Sequence, residues 1–454
     1  MLDLTLEEII KAVDGNFITT NKNEHFEKVS TDTRKIEKDS IFFALRGENF
    51  NGNNYIKEAI DKGASVCIVD ENKEEFLGYE ANVIKVEDSK KALQKLAKYY
   101  REKLGLKVIG ITGSNGKTSS KDILAAILGE KYSVFKTKGN FNNDIGLPLM
   151  ILELDRTVDV AVLEMGMSNL NEIHLLADIA RPDIAIITNI GLSHIENLKT
   201  RENILKAKME IVDYFNEENT LIINGDDDLL NGVTSNIYKV VKTGLDDSNN
   251  ITAVNVVLLK NHSEFEVNFQ GQKGSFDLPM LGKHSVQNCL LCIAAGNLLG
   301  LSLDEMNNGL RNIQSTSMRL EIIETNKITI VNDCYNASPS SMKAAIDVMK
   351  NIDGCRKIAI LGTMRELGDE SLNAHIDTGV YAKNNGIDLL LCCGDYSDGF
   401  KTGFSDEGCI VFQSKEQLIK ALEELIKEKD VVLVKASRSM KFEEIVNELK
   451  KMNL

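Results

Sequence analysis

Residues 108–121 read Val-Ile-Gly-Ile-Thr-Gly-Ser-Asn-Gly-Lys-Thr-Ser-Ser-Lys, an apolar strand that runs into a glycine-rich turn and then a helix. Such a passage dictates a phosphate cradle. Gly113 and Gly116 let the chain turn tightly, so that successive backbone N–H groups can point at anionic oxygens. The helix N-terminus adds its partial positive charge. Lys117 can reach terminal phosphates, and Thr118 supplies the hydroxyl expected on a Mg²⁺ ion. Five residues separate Gly110 from Gly116, where the general P-loop pattern has four, so Thr112-Gly-Ser-Asn-Gly-Lys-Thr118 carries the signal. The alternative is a turn that only looks like a P-loop. The strand before it, the helix after it and the Lys-Thr pair favour ATP binding. A lysine that faces phosphate is expected to be solvent-accessible in the free protein.

The chain has 454 residues, which at ~150 residues per domain suggests three domains. Its formal charge of −15 argues against a nucleic-acid-binding protein, while leaving room for a local basic site that takes an anionic substrate. No basic and apolar leader and no apolar run near ~18–20 residues is present, so neither export nor a membrane span is expected, and a cytoplasmic location is. The eight cysteines are scattered. Cys289 and Cys292 lie in an apolar helical stretch with no second pair to complete a zinc set, so buried reduced thiols are expected.

Element patterning supports three units, at 1–100, 101–316 and 317–454, with a boundary near 313–320. From 107 onward, apolar strands alternate with amphipathic helices: strand 158–164, helix 171–179, strand 183–189, helix 201–215 and strand 220–224. That is the pattern of a mostly parallel sheet covered on both faces. Residues 239–279, rich in β-branched residues and polar turns, suggest an antiparallel patch. Alternation restarts at 327 in the third unit. The Lys-rich helical stretch 89–104 reads as a connector. A monomer is expected.

Ligands of α/β sheets gather at the carboxyl ends of strands, and those ends carry chemistry here. The turn Thr137-Lys-Gly-Asn-Phe-Asn-Asn-Asp144 is rich in amides. Glu164 ends a fully apolar strand. His194 follows strand 183–189, and Lys208 lies on the helix after it. Glu164 and His194 can hold Mg²⁺ on ATP and on a second anionic substrate. Lys208 can contribute a positive charge, or a carbamate if modified. Ile204, Ile211 and Phe215 place it beside the buried stripe of its helix. Singly, each also has an ordinary reading: a helix-capping Glu164, a loop-structural His194, a solvated Lys208.

Together, TGSNGKT, GNFNNDIGLP, LEMGMSN, TNIGLSHIE and AKMEI resemble the Mur ligase family, the ATP-dependent amide ligases of bacterial cell-wall synthesis. The resemblance extends upstream to Ser30-Thr-Asp-Thr-Arg34, Ile41–Glu48 and Phe50-Asn-Gly52, which are similar to a uridine-nucleotide-binding domain. Downstream it includes Gly282–Asn288, Met318-Arg-Leu-Glu321, Asn332–Met342 and Val434–Met440. It implies a central P-loop domain between a small N-terminal α/β nucleotide-sugar domain and a C-terminal Rossmann-like α/β domain. The stretch Asn-Asp-Cys-Tyr-Asn-Ala-Ser-Pro is most similar to the member that joins D-alanyl-D-alanine to UDP-N-acetylmuramoyl-tripeptide. Other amino-acid-adding members, the folate polyglutamate ligases and a P-loop NTPase switch are the competing readings. The motif Gly362–Gly368 carries Thr363 where the family usually has an acidic residue, and Thr363 is assigned no role.

Residue by residue, the resemblance implies that Gly113, Ser114, Asn115, Gly116, Lys117 and Thr118 hold the ATP phosphates. Thr118, Glu164 and His194 are implied as magnesium ligands, and Lys208 stands where several relatives carry a carbamylated lysine. Asn288, Arg319, Asp333 and Asn336 resemble nucleotide contacts. Thr31, Asp32, Thr33, Arg34 and Gly47 fall in the segments expected around the uridine diphosphate, and Asn142 and Asn143 are expected to meet the nucleotide-sugar. Lys435, Ser437 and Arg438 suit the incoming dipeptide or the acyl intermediate. The implied reaction begins with attack of a carboxylate on the γ-phosphorus. This brings like charges together, so Lys117, Mg²⁺ and Arg438 are the expected compensating cations. One preorganised group of this kind contributes ~10²–10³ in turnover.

Overall fold

In the computed structural model the chain is described except at residues 1, 22–24, 270, 315, 406, 453 and 454; residue 315 falls inside the expected boundary near 313–320 and so lies outside the described residues. Three sheets organise the chain. The central, nine-stranded sheet runs in the order Gln272–Leu278, Ser263–Phe269, Ile251–Leu258, Lys239–Gly244, Thr220–Asn224, Ile184–Ile187, Lys107–Thr112, Val160–Glu164, Val134–Lys136. The P-loop strand Lys107–Thr112 is thus flanked by parallel neighbours on both sides. Its side chains are apolar on both faces because both are covered: Val108 enters one buried cluster, while Ile109 and Ile111 enter the other. Strand order reverses around it, which opens the crevice where such sheets bind ligands.

The antiparallel patch expected over 239–279 is smaller than read. Lys239–Gly244 pairs parallel with Thr220–Asn224, and antiparallel pairing begins only between Ile251–Leu258 and Ser263–Phe269. The hairpins extend the central sheet. β-Branched composition marks strands but carries no information on their direction. The helix expected over 201–215 ends at Met209 and tightens into a 3₁₀ turn at Glu210–Val212.

The C-terminal sheet orders Glu321–Glu324, Thr329–Asn332, Asp430–Lys435, Arg356–Gly362, Leu389–Cys393, Cys409–Phe412, parallel apart from its first edge strand. The N-terminal sheet has Ala64–Val69 at its middle and an antiparallel edge at Asn16–Thr19. Between the N-terminal and central sheets runs the helix Ser89–Leu104. Asp88 caps it by accepting from the Lys90 and Lys91 amides, and Gly105 ends it in the left-handed region at φ 63°. An N-cap of this kind contributes about 1 kcal/mol.

The expected connector is a packed strut. Lys103 and Tyr99 both reach Glu8, while Lys98 pairs with Asp178 and Arg101 donates to the Ala180 carbonyl. Tyr100 is fully buried, its hydroxyl donating to the Leu154 carbonyl at 2.8 Å; burying an aromatic side chain of that size contributes roughly 1.5–3 kcal/mol. The cysteines are unbridged thiols, all buried except Cys355. Among the described residues, no helix is long and apolar enough to cross a membrane.

Candidate active site

The P-loop turn is built by two glycines that no other residue could replace without rearrangement. Gly113 has φ +151°, and a Cβ placed there would sit 1.8 Å from the Thr188 hydroxyl; Gly116 has φ +81°, and its Cβ would meet the Asn288 amide at 2.8 Å. Both contacts come from segments that wall the turn. The Ser114 amide donates to the Asn189 carbonyl at 3.0 Å, and the Asn115 amide to Asn189 Oδ1 at 3.0 Å. The helix Lys117–Leu128 starts at once, with Gly116 as its N-cap and no side chain capping it. Its first N–H groups are therefore free for an anion.

Lys117 is less available than expected. Its ammonium folds back and donates to the Gly113 carbonyl at 2.7 Å, and the side chain is half-buried. Burial pulls it below the usual lysine range, and the charges of Glu164 and Glu366 work against that shift. Packing at the base of a cleft overrides the accessibility that a phosphate-facing side chain suggests.

Thr118 and Glu164 form a buried pair. The threonine hydroxyl donates to Glu164 Oε1 at 2.8 Å, and the carboxylate is 1% exposed. A hydroxyl and a carboxylate are hard oxygen donors, the type Mg²⁺ selects when it completes its shell with phosphates and water. The donor set fits that ion. Among the described residues, no three His, Cys, Asp or Glu side chains come together as a metal cage.

A cavity of about 640 Å³ opens above this pair, between the central and C-terminal domains. Ser114 to Thr118, Asn142, Glu164 and Asn288 line it from the central domain, and Arg319, Asp333, Asn336 and Lys435 from the other side. Arg319 stacks its guanidinium 4.2 Å from the centre of the Tyr335 ring, and its Nε is buried without a hydrogen-bond partner among the described residues. A buried orphan donor of this kind awaits an acceptor. Met318 and Leu320 on either side of it take left-handed φ values of 63° and 53°. Asp333 accepts from the Leu320 amide at 3.1 Å, which fixes the backbone that carries the arginine.

Three family profiles match the chain in order: "Mur ligase family, catalytic domain" over 25–101, "Mur ligase middle domain" over 111–296 and "Mur ligase, glutamate ligase domain" over 318–438. A Bacillus subtilis protein, UDP-N-acetylmuramoyl-tripeptide–D-alanyl-D-alanine ligase, is 40% identical, with 99% of each chain covered. The chain belongs to the Mur ligase family. The crystal structure of MurF from Acinetobacter baumannii superposes with a TM-score of 0.91 at 29% identity, over 99% of both chains. MurF ligase from Thermotoga maritima, solved in complex with ADP, superposes at 0.84 and 29% identity, covering 94% of this chain and 97% of that one.

Not every expected residue of this Mur ligase reaches the cavity. His194 lies in the next loop with φ 66°, its Nδ1 2.6 Å from a carboxylate oxygen of Glu366. Lys208 is 1% exposed, so it is buried outright rather than flanking its stripe, and no carboxylate faces it among the described residues. Burial, with the charge of Lys117 adding to it, holds its amine well below the usual lysine range.

Asn143 is exposed and turned toward its own loop. Its Oδ1 accepts from the Gly146 amide at 2.8 Å and so folds the loop, leaving Asn142 to face the cavity. Lys435 touches the cavity wall but is only 2% exposed, its ammonium held by Asp333 Oδ2 at 2.5 Å and the Asn336 carbonyl at 2.9 Å. It fixes the Asp333 loop. Ser437 likewise accepts from the Arg365 amide at 2.9 Å. Arg438 pairs with Glu443 at 2.9 Å and stands half-exposed beyond Tyr335, outside the lining. Strand-end position in a linear motif does not tell which neighbours these three side chains meet.

The N-terminal segments lie apart from the cavity. Asp32 grips Arg34 through both carboxylate oxygens and caps a 3₁₀ turn that starts at Thr33, and the Arg34 pairing holds Asp32 down to about 2. Thr31 is half-buried beside them, and Gly47 sits in an exposed hairpin with open space around it. The loop after Thr137 joins the two regions. Lys35 lies over the Phe141 ring at 5.9 Å, and Asn142 lines the cavity one residue later.

Sequence reading missed contacts across the domain boundary. Asn115 donates to Ser340 Oγ at 2.9 Å and accepts from Ser338 Oγ at 2.8 Å, at the start of the helix Pro339–Met349. A serine N-cap before Pro is legible as a helix start, but its P-loop partner is not.

Proposed function

We propose that this chain joins D-alanyl-D-alanine to UDP-N-acetylmuramoyl-tripeptide at the expense of ATP, a cytoplasmic step in making peptidoglycan precursors. The observation that carries this reading is the shared cavity, with a P-loop and Glu164 on one wall and Arg319, Asp333 and Asn336 on the other. The match along nearly the whole chain to a ligase of that name supports it.

ATP enters with its phosphates on the Gly113–Thr118 turn and its base between Asn288 and the Asp333–Asn336 segment. Lys117 leaves the Gly113 carbonyl for the terminal phosphates. Thr118 and Glu164, with His194 in the loop beyond them, would hold magnesium, which would supply charge that offsets the approach of a second anion. The uridine diphosphate rests against Thr31–Arg34 and Gly47, and the peptide runs along the Phe141–Asn142 loop toward the γ-phosphate. The terminal carboxylate attacks the γ-phosphorus, forming an acyl phosphate and ADP. The dipeptide amine then attacks the acyl carbonyl and expels phosphate. Closure of the third domain excludes the water that would hydrolyse the acyl phosphate. Arg438, half-exposed beyond Tyr335 and outside the cavity lining, is the cation we assign to the incoming dipeptide, which it would meet on leaving Glu443.

The test is phosphate release with a panel of amines and UDP-muramoyl peptides. D-alanyl-D-alanine supports turnover, and single amino acids are poor acceptors, because a site built to pair the dipeptide leaves polar groups unsatisfied with a shorter amine. Efficient turnover with a single amino acid would assign a different ligase activity. Turnover of ATP needing neither substrate would assign an NTPase switch.

A further inference from the structure

One buried charge next to the site has no part in the scheme above. Lys121 lies one helical turn after Lys117 on the P-loop helix and is 4% exposed. Its ammonium donates to the Thr137 carbonyl at 3.0 Å, stands 3.8 Å from Glu164 Oε2 and 3.6 Å from Asp122 Oδ1. Asp122, equally buried, is itself engaged by Lys136 at 2.7 Å and by the Thr316 hydroxyl. Thr137 returns the connection, since its hydroxyl accepts from the Glu164 amide at 2.9 Å.

The Glu164 carboxylate is therefore flanked from a single helix, by the Thr118 hydroxyl donating to Oε1 and by the Lys121 ammonium 3.8 Å from Oε2. The same ammonium ties down Thr137, the last residue before the loop that presents Asn142. That loop closes on the strand beyond Glu164, with the Gly166 amide donating to the Asn142 carbonyl at 2.8 Å. Stability gives little reason to keep such a charge, because a well-packed apolar side chain of similar volume often does as well as a buried ion pair.

We infer that Lys121 is a positioning residue that registers the Glu164 carboxylate and the substrate loop at Thr137 to the ATP-binding helix. The inference rests on the reading that Glu164 faces magnesium brought in with the nucleotide. With Lys121 absent, the carboxylate is free to swing about its last bonds and the Thr137 carbonyl loses its donor, so a cation meets a less organised site.

The experiment is calorimetric titration of ADP into the full chain over a range of Mg²⁺ concentrations, for wild type and Lys121→Met, with thermal melting as the check on folding. Lys121→Met is expected to bind ADP as wild type does without Mg²⁺, yet to need roughly 10–100-fold more Mg²⁺ for the metal-dependent gain in affinity, the range for groups that orient a metal ligand. A folded variant with an unchanged or lowered Mg²⁺ requirement overturns the inference; a purely structural lysine would shift only the melting temperature. Should Lys121→Met fail to fold, Lys121→Arg keeps the charge but cannot reproduce its geometry. The same rise is expected for it, and no rise overturns the inference equally. If wild type itself shows no Mg²⁺ dependence, the reading of Glu164 fails first, and separately.

Discussion

The Glu366 carboxylate lies 2.6 Å from His194 Nδ1, although the two residues belong to different domains. Glu366 holds a left-handed φ of 65°, and its carbonyl accepts from the Glu196 amide at 3.2 Å, so backbone and side chain both meet the His194 loop. The imidazole beside it draws the Glu366 carboxyl below the usual carboxylate range. A carboxylate on one ring nitrogen orients the imidazole and leaves Nε2 for a metal.

Glu366→Gln should therefore raise the Mg²⁺ concentration needed for half-maximal phosphate release by about tenfold or more, the range for such carboxylates. Titration of Mg²⁺ at saturating ATP measures it. An unchanged requirement would make the contact a domain-closing one without bearing on the metal.

How much of this was legible in the chain depends on distance along it. The P-loop turn, the Thr118 hydroxyl and Glu164 at a strand end follow from local pattern, because the glycine spacing and the apolar run before Glu164 are consequences of one strand–turn–helix unit. Glu366 is invisible to such reading, since its partner lies in another domain. Lys121 was open to view at helical spacing from Lys117, yet spacing alone does not distinguish a buried lysine from a solvated one. Asn143 and Lys435 show the converse: the segments read correctly as strand ends, while the side chains were consumed by a backbone amide and by Asp333.

Lys117→Ala should leave the fold intact while lowering phosphate release by ~10²–10³. Among the described residues its ammonium hydrogen-bonds only to the Gly113 carbonyl, at 2.7 Å, so its loss leaves one acceptor at the cleft and a melting temperature close to wild type. Circular dichroism melts and steady-state kinetics together decide it. Near-normal turnover would remove Lys117 from the mechanism.

Lys208 makes a prediction of opposite sign for stability and activity. Its amine is buried without a facing carboxylate, and its folded-state pKa lies well below 10.5. The unfolded chain then binds the proton more tightly than the folded one, so stability falls as pH drops below 10.5. Lys208→Met should melt higher than wild type at pH 7, by a margin that shrinks toward pH 10, while phosphate release falls. Lys208→Ala should regain part of its turnover with added acetate if the functional form is a carbamate. A methionine variant that melts lower, or an alanine variant that is fully active, would make this lysine a structural group.

Asn115 sits at the tip of the phosphate turn and also holds the first residues of the Pro339–Met349 helix through Ser338 and Ser340. Each such hydrogen bond contributes about 0.5–1.5 kcal/mol net, so the clasp is worth only a few times thermal energy. That clasp adds to the His194–Glu366 pair and the Glu196–Glu366 backbone contact across the same boundary, so the tip of the phosphate turn and the third domain are tied together from two places.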